Sequence, residues 1–417
     1  MVRLSIWRPE CRKMRPSQRK VICLPDEFME QHGKPTDPYR IFFPLGILLG
    51  VMGVLIWPLY YFGLTQGYSG RAHAFVQTDG FLFSFVAGFL LTAIPRFTAT
   101  ETPGRSVQYM LAAIVSFCAV AIEFHYFAIG NALFVAAYVM LMVLAISRFR
   151  RRKQAPPETF AFIGFGLFAG AAGALIAAGV ALETVPPSWD LLGRRLLTEG
   201  MVLLLVLGVG GFLGPRLLGF AALPKFTAMQ QTSPSGPKIL LYKIAGLALL
   251  MSLVADYGFG FASSAFLRAA VVTMVILSTA QLWRLPVARS TLAWCVWTAD
   301  WLVILSLWLL AALPRYRIDL LHILFIGGFT LLILAVGTRV ALSHGGHSLA
   351  LEQRSWPLRI GLSSGLVAML ARVGAPLAPF SYFEHLAWAA ILWIGGILFW
   401  GFYLFRWTSN GTKQRVL

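Results

Sequence analysis

Residues 74–95 read AFVQTDGFLFSFVAGFLLTAIP, and this stretch decides the fold class. Its 22 consecutive residues contain a single ionisable side chain, that of Asp79. An α-helix needs about 20 mostly apolar residues to cross the hydrocarbon core of a bilayer. A transmembrane strand would instead alternate apolar and polar residues over about ten positions. The stretch therefore predicts a membrane-spanning helix.

Runs of similar length and composition recur along all 417 residues. With the quoted run as span 2, we place twelve spans near residues 41–63, 74–95, 106–124, 127–147, 159–182, 196–214, 239–258, 261–283, 292–313, 319–341, 357–377 and 385–406. Charged residues make up 12% of the chain, about half their share in a soluble domain. The sequence predicts an all-α integral membrane protein. We divide it into a basic arm (1–40), a twelve-helix domain (41–407) and a tail (408–417).

The positive charges indicate how the spans are oriented. The net charge is +18. With the N-terminus inside, roughly 27 of the 35 Lys and Arg residues lie on that side, against about six on the other. This asymmetry predicts cytoplasmic termini in a bacterial-type inner membrane and contacts with anionic membrane lipid. It argues against nucleic acid as a partner, because the basic residues follow the loops.

Spans 2, 6 and 10 resemble one another at a period of about 120 residues. Each ends in a basic residue, at Arg96, Arg216 and Arg339. Aligning these arginines places Asp79, Glu199 and His322 at equivalent positions, each 17 residues upstream. The repeat predicts a pseudo-threefold 3 × 4 arrangement, similar to that of the haem-copper oxidase catalytic subunit. The alternative is that membrane helices are merely alike in composition.

Several histidines and carboxylates are predicted to lie in one layer, at the outer ends of the spans. The histidines of this layer are His73, His125, His322 and His385, and Asp79 and Glu199 lie at similar depth. Imidazole is a natural ligand of haem iron and copper, and ionisable groups within a membrane are functional candidates by default. All six residues are therefore candidate metal ligands. The alternative for each histidine alone is an interfacial residue bound to water or lipid headgroups.

A haem between spans 2 and 10 would have His73 and His322 as its axial candidates. Glu199 and Asp79 would then be third ligands or nearby polar groups, and Arg194 or Arg195 would pair with a propionate. Asp319, three residues before His322, is predicted to accept a hydrogen bond from its ring.

Two further histidines, His344 and His347, follow span 10 in the sequence SHGGHS. About 33 Å of helix separates His344 from His322, so these two histidines cannot share an ion. The intervening Gly-Gly would let His344 and His347 turn toward one metal ion. The alternative is a solvated loop.

Two stretches of sequence resemble a known family. In span 2, His73 is followed by the ending GFLLTAIP at 88–95, and span 10 combines His322 with LAVGTR at 334–339 and the later His344-Gly-Gly. These motifs are similar to those of the NnrS family, membrane proteins associated with the bacterial response to nitric oxide. The resemblance implies haem, copper in at least some members, and protection against nitrosative stress.

The chain departs from the family pattern at three positions. Phe75 and Val76 stand where the family has the second His and the Glu of a His-Ala-His-Glu-Met stretch, and His347 stands where it usually has a basic residue. A metal site built on the first two positions is therefore absent or rebuilt in this chain. These departures indicate a divergent member with haem but without a copper site of that kind.

The first functional hypothesis is thus a haem-binding membrane protein that exchanges electrons with a donor protein or a quinone. The alternative is a secondary transporter with twelve spans and no metal cofactor. Few charges lie near the predicted midplane, where transporters bind their substrates. The nearest candidates for such a site are Lys243, Asp256 and Arg268, and Asp300 is predicted to lie near an outward-facing cavity.

Overall fold

The structure is a computed structural model that describes residues 37–221, 235–258 and 261–409. These residues form helices, turns and loops, with no strand among them. Twelve helices in this part of the chain are long and apolar enough to cross a membrane. The spans are Tyr39–Tyr61, Gly70–Thr98, Arg105–Glu123, Phe127–Arg150, Glu158–Ala181, Pro187–Leu217, Gly236–Tyr257, Ser263–Ala280, Thr291–Ala312, Pro314–His344, Leu349–Leu377 and Pro379–Thr408. The predicted fold class and number of spans are confirmed.

The predicted arm and tail lie mostly outside the described residues. Residues 1–36 of the arm and 410–417 of the tail belong to the undescribed part of the chain. Span 1 already begins at Tyr39, within the predicted arm, and the last helix ends at Ser409. The proposed division of the chain into arm, membrane domain and tail stays a prediction.

Spans 2, 6 and 10 share an unusual internal structure. They comprise 29, 31 and 31 residues, and each is an α-helix interrupted by a π-helical segment. The π segments are Val76–Leu82, Leu196–Met201 and Ile323–Thr330. Such segments are rare and often occur at functional sites. Each span begins before its predicted start, because its first turns carry charged residues that hydropathy alone assigns to loops.

The packing of the spans follows the same order in three successive blocks of four. Within each block, the first span contacts the second and third, the second contacts the third and fourth, and the third contacts the fourth. Consecutive blocks meet through spans 4 and 5, 8 and 9, and 12 and 1. These contacts agree with the internal repeat. The arrangement of the blocks about a pseudo-threefold centre stays a prediction.

Small residues bring the backbone of span 1 close to span 2. A Cβ atom added at Gly46, Gly50 or Gly53 would lie 2.7, 2.7 or 2.8 Å from a side chain of span 2. Membrane helices commonly use glycine in this way, because van der Waals packing drives their association. The close approach places the carbonyl oxygen of Gly53 within hydrogen-bonding distance of His73.

Candidate functional site

The structure brings together two of the predicted ligands, His73 of span 2 and His322 of span 10. Their imidazole centroids are 6.5 Å apart, and the planes of the rings differ by 10°. The two residues are separated by 248 intervening residues in the chain, so the packing of the first block against the third is what aligns them. We call these two residues the histidine pair, and the face at which spans 2, 6 and 10 begin the histidine side.

Backbone carbonyl groups hold both imidazoles in a defined orientation. Nδ1–H of His73 donates to the carbonyl oxygen of Gly53 at 2.7 Å, and Nδ1–H of His322 donates to that of Ile318 at 2.7 Å. Trp57 packs edge-on against His73 with the centroids 5.4 Å apart. A carbonyl oxygen can only accept, so the proton of each neutral ring lies on Nδ1 and the lone pair on Nε2. This is the arrangement of a histidine prepared to bind a metal through Nε2.

The π-helical segments begin beside the histidine pair. His322 is the last residue before the π segment of span 10, and His73 lies three residues before that of span 2. A π turn is wider than an α turn, so it shifts the side chains before it relative to those after it. The segments therefore help to set the direction in which the two rings point.

Arg372 of span 11 is the charged neighbour of the histidine pair. Its guanidinium donates to the carboxylate of Asp319 with Nη1 and Oδ1 2.6 Å apart, and its charge acts on both imidazoles. Asp319 was predicted to accept a hydrogen bond from His322. Its carboxylate binds Arg372, and the backbone of Ile318 accepts from the ring. The sequence analysis overlooked Arg372, although a charge inside an apolar span is a signal that could have indicated it.

The second block places buried charges where the first and third blocks contribute histidines. Asp256 forms ion pairs with Arg195 at 2.5 Å and with Arg268 at 3.1 Å. Glu199 pairs with Arg317 of span 10 and lies 3.8 Å from Arg268. We call these five residues the ion network. Two of the predicted site residues, Glu199 and Arg195, therefore have their charged partners within this network.

Arg194, the other predicted propionate partner, is exposed on the histidine side. Its side chain is 48% exposed and pairs with Asp190 at 2.9 Å, one turn earlier in the same span. Asp190 also binds Arg71 at the start of span 2, at 3.4 Å. These contacts join spans 2 and 6 on the histidine side.

Asp79 lies in the π segment of span 2 and is fully buried. Neither carboxylate oxygen has a hydrogen-bond partner among the described residues. Cys118 of span 3 and Tyr138 of span 4 are its neighbours in the same block. The structure therefore places Asp79 among the helices of the first block.

The remaining histidines of the predicted layer make separate contacts. His125 is exposed in the turn between spans 3 and 4, with φ at 64°, and its ring packs against Phe127. Nδ1–H of His385 donates to the carbonyl oxygen of Ser381 at 2.9 Å, in the first turns of span 12. Among the described residues, no group of three or more His, Cys, Asp or Glu side chains could hold a metal ion.

His344 and His347, at the other end of span 10, also have different partners. Nη1 of Arg96 lies 2.7 Å from Nε2 of His344, so the guanidinium donates to that ring. Nε2–H of His347 donates to the carbonyl oxygen of Trp407 at 2.9 Å. Both Nε2 atoms take part in contacts between helices. A metal ion shared by these two histidines stays a prediction.

The fold and these contacts define the class of the protein: a multi-pass, all-α membrane protein with two parallel imidazoles at one end of its helices. The family model described as NnrS protein matches residues 36–410, nearly the whole chain. The chain belongs to the NnrS family. No curated protein matches it.

Proposed function

We propose that the protein binds a haem between spans 2 and 10, which His73 and His322 would hold. The spacing of the rings carries the proposal. A bond between a metal and an imidazole nitrogen is about 2.0 Å long, and the ring centre lies about 1 Å further away, so imidazoles on opposite sides of one metal ion have centroids about 6 Å apart. The observed spacing is 6.5 Å. The parallel planes and the Nε2 lone pairs also fit this role.

The residues around the pair support haem as the metal group. Neither Nε2 atom has a hydrogen-bond partner among the described residues, whereas both Nδ1 atoms do. Arg372 acts on both rings, and we assign it the role of binding a propionate. A haem held by these two histidines would supply one-electron transfer. The residues of the chain bind the group, fix its orientation and set the charge around it.

Membership of the NnrS family supports a place for this redox chemistry in the response to nitric oxide. We infer a location in the bacterial inner membrane with both termini in the cytoplasm, because basic residues concentrate on one side of the predicted spans. The histidine side then faces the periplasm, and anionic lipids contact the opposite face. An electron donor protein or a quinone would be the redox partner. Among the described residues, the pair is not part of any group of three His, Cys, Asp or Glu side chains, and we propose haem alone at this site.

A reduced-minus-oxidised absorption spectrum of the purified protein tests this proposal. We expect a Soret band with one haem per chain, and loss of the band in both His73→Ala and His322→Ala. The control is His385→Ala, since the hydrogen bonds of His385 within the described part of the chain are local ones to Ser381. A protein without Soret absorption, or one whose spectrum survives both substitutions, contradicts the proposal.

One observation favours the alternative function, a secondary transporter. Of the transporter candidates in the sequence, Asp256 and Arg268 pair with each other in the ion network. Asp300 instead lines a cavity between the spans, which is where a transporter would hold its substrate. Substrate-dependent flux in proteoliposomes that is lost in Asp300→Asn, together with a spectrally transparent protein, would establish this function in place of haem binding.

A further inference from the structure

A cavity of about 120 Å³ lies between spans 2, 6 and 10. All three spans contribute to its wall, with further residues from spans 1 and 9. Four aromatic side chains take part, those of Phe43, Phe85, Phe89 and Phe329. An apolar cavity of about 150 Å³ in a soluble protein is large enough to bind benzene. The cavity is therefore of a size for one six-membered ring.

One ionisable residue lines this apolar space, Asp300 of span 9. It is 7% exposed, and it has no ion pair or hydrogen bond with any of the described residues. An ionised carboxylate is very unfavourable in such surroundings, which favour the uncharged carboxyl group. In that form the side chain has one O–H donor and an acceptor oxygen. A ligand that fits here has an apolar ring with a polar atom at its edge.

We propose that this cavity binds the ring of a membrane quinone, with the Asp300 carboxyl donating a hydrogen bond to one quinone oxygen. This inference rests on the proposed function, because the quinone would exchange electrons with the proposed haem. Aromatic side chains pack favourably against a planar ring in offset or edge-on arrangements. A lipid acyl chain has no atom to accept from Asp300. A quinone provides both the ring and the acceptor, and its isoprenoid tail is soluble in the bilayer.

The cavity and the histidine pair are close together but separate. Phe329 lies seven residues after His322 in span 10, roughly 10 Å along the helix. No residue of the histidine pair lines the cavity. Substitutions in the cavity therefore leave the proposed haem ligands in place, and binding to the two sites can be measured independently.

Gly210 of span 6 offers a direct test, because it lines the cavity and a Cβ atom there would meet nothing within 4 Å. The Gly210→Leu side chain should fill the space without disturbing the helix, since leucine favours helix more than glycine does. Gly164 of span 5 provides the matched control. It is exposed on the outer surface, a Cβ atom there also meets nothing within 4 Å, and it does not line the cavity.

The experiment measures binding of a decyl-substituted benzoquinone to the purified full-length protein by equilibrium dialysis, with the Soret absorbance recorded in each sample. We expect saturable binding to the wild type and to Gly164→Leu, and none to Gly210→Leu. Asp300→Leu should weaken binding about tenfold, and Asp300→Asn, which keeps a hydrogen-bond donor, should restore most of it.

Binding that persists in Gly210→Leu, or no binding to the wild type, overturns the inference. It is also overturned if the lipophilic cation tetraphenylphosphonium binds in an Asp300-dependent manner and the quinone does not. Quinone binding that depends on Gly210 and Asp300 in a protein without Soret absorption supports the cavity and refutes the haem. A Soret band without quinone binding supports the haem and refutes the quinone site.

Discussion

The histidine pair and the ion network occupy the starts of corresponding spans but differ in how their polar groups are satisfied. In the pair, neutral rings donate to backbone carbonyls, and their other two nitrogens have no hydrogen-bond partner among the described residues. In the network, three arginines and two carboxylates pair with one another across spans 6, 7, 8 and 10. The pair thus keeps two nitrogens for the proposed haem, while the network joins helices.

The difference between the two regions follows from the charge of their buried side chains. Glu199 stands at the position of span 6 that corresponds to His322 in span 10, and it is fully buried. A buried charge requires compensating partners, whereas a neutral imidazole needs only one acceptor for its proton. Glu199 has such partners in the arginines of the network, whereas a histidine at the corresponding position leaves its second nitrogen available. Four predictions test this contrast, in order from the largest expected effect to the smallest.

Arg268→Met should be the most destabilising, because it removes the arginine that faces both carboxylates of the network. Loss of one partner from a buried ion pair typically costs about 3–5 kcal/mol. Unfolding in a detergent titration would measure the loss. Arg268→Lys, which retains the charge, should lose less. The contrast fails if Arg268→Met unfolds like the wild type, or if its folded fraction lacks haem.

Gly53→Ala should weaken haem binding with little effect on the network. The new methyl group would lie 2.8 Å from Val76 and 2.9 Å from Gln77, so the carbonyl that accepts from His73 must move. Loss of such a partner reduces metal affinity by about 10- to 100-fold. Transfer of haem to apomyoglobin would measure this change, and Gly164→Ala is the control. Equal rates of transfer from both variants would show that the Gly53 contact does not orient the ligand.

Arg372→Gln should lower the midpoint potential of the haem. The substitution removes a positive charge that acts on both histidines, and the loss of this charge favours the oxidised form. Asp319→Asn should raise the potential by removing the paired negative charge. We expect shifts of tens of millivolts, about 59 mV corresponding to a tenfold change for one electron. Spectroelectrochemical titration of both variants would measure them. Shifts in the same direction would rule out a simple effect of charge.

Arg194→Ala should have the smallest effect. Its pair with Asp190 is half exposed, and surface ion pairs of this kind contribute about 0–1 kcal/mol. Both the unfolding midpoint and the Soret spectrum should stay close to those of the wild type. A loss of haem in this variant would indicate that Arg194 binds a propionate, as the sequence predicted.

The sequence was sufficient to predict the spans, because a helix needs about 20 apolar residues to cross the bilayer. It also indicated the two histidines of the pair as candidates. The repeat also placed spans 2 and 10 in corresponding positions. Arg372 is visible in the sequence as a charge inside an apolar span, but the sequence does not show which helix its side chain faces. The partners of Glu199 were not predictable, since an acid in a membrane can bind a metal or an arginine. Whether the acid binds a metal or an arginine depends on which helices pack beside it.

The π segment of span 2 makes the helix sensitive to the removal of a single residue. A π turn contains about one residue more than an α turn, so one deletion within Val76–Leu82 would restore the regular pitch. The part of the helix before the deletion would then rotate by about 100° relative to the rest. His73 would leave the face that meets His322, although every hydrophobic run would still be long enough to cross the bilayer. A gain or loss of one codon could thus create or abolish such a site while the twelve-span fold persists.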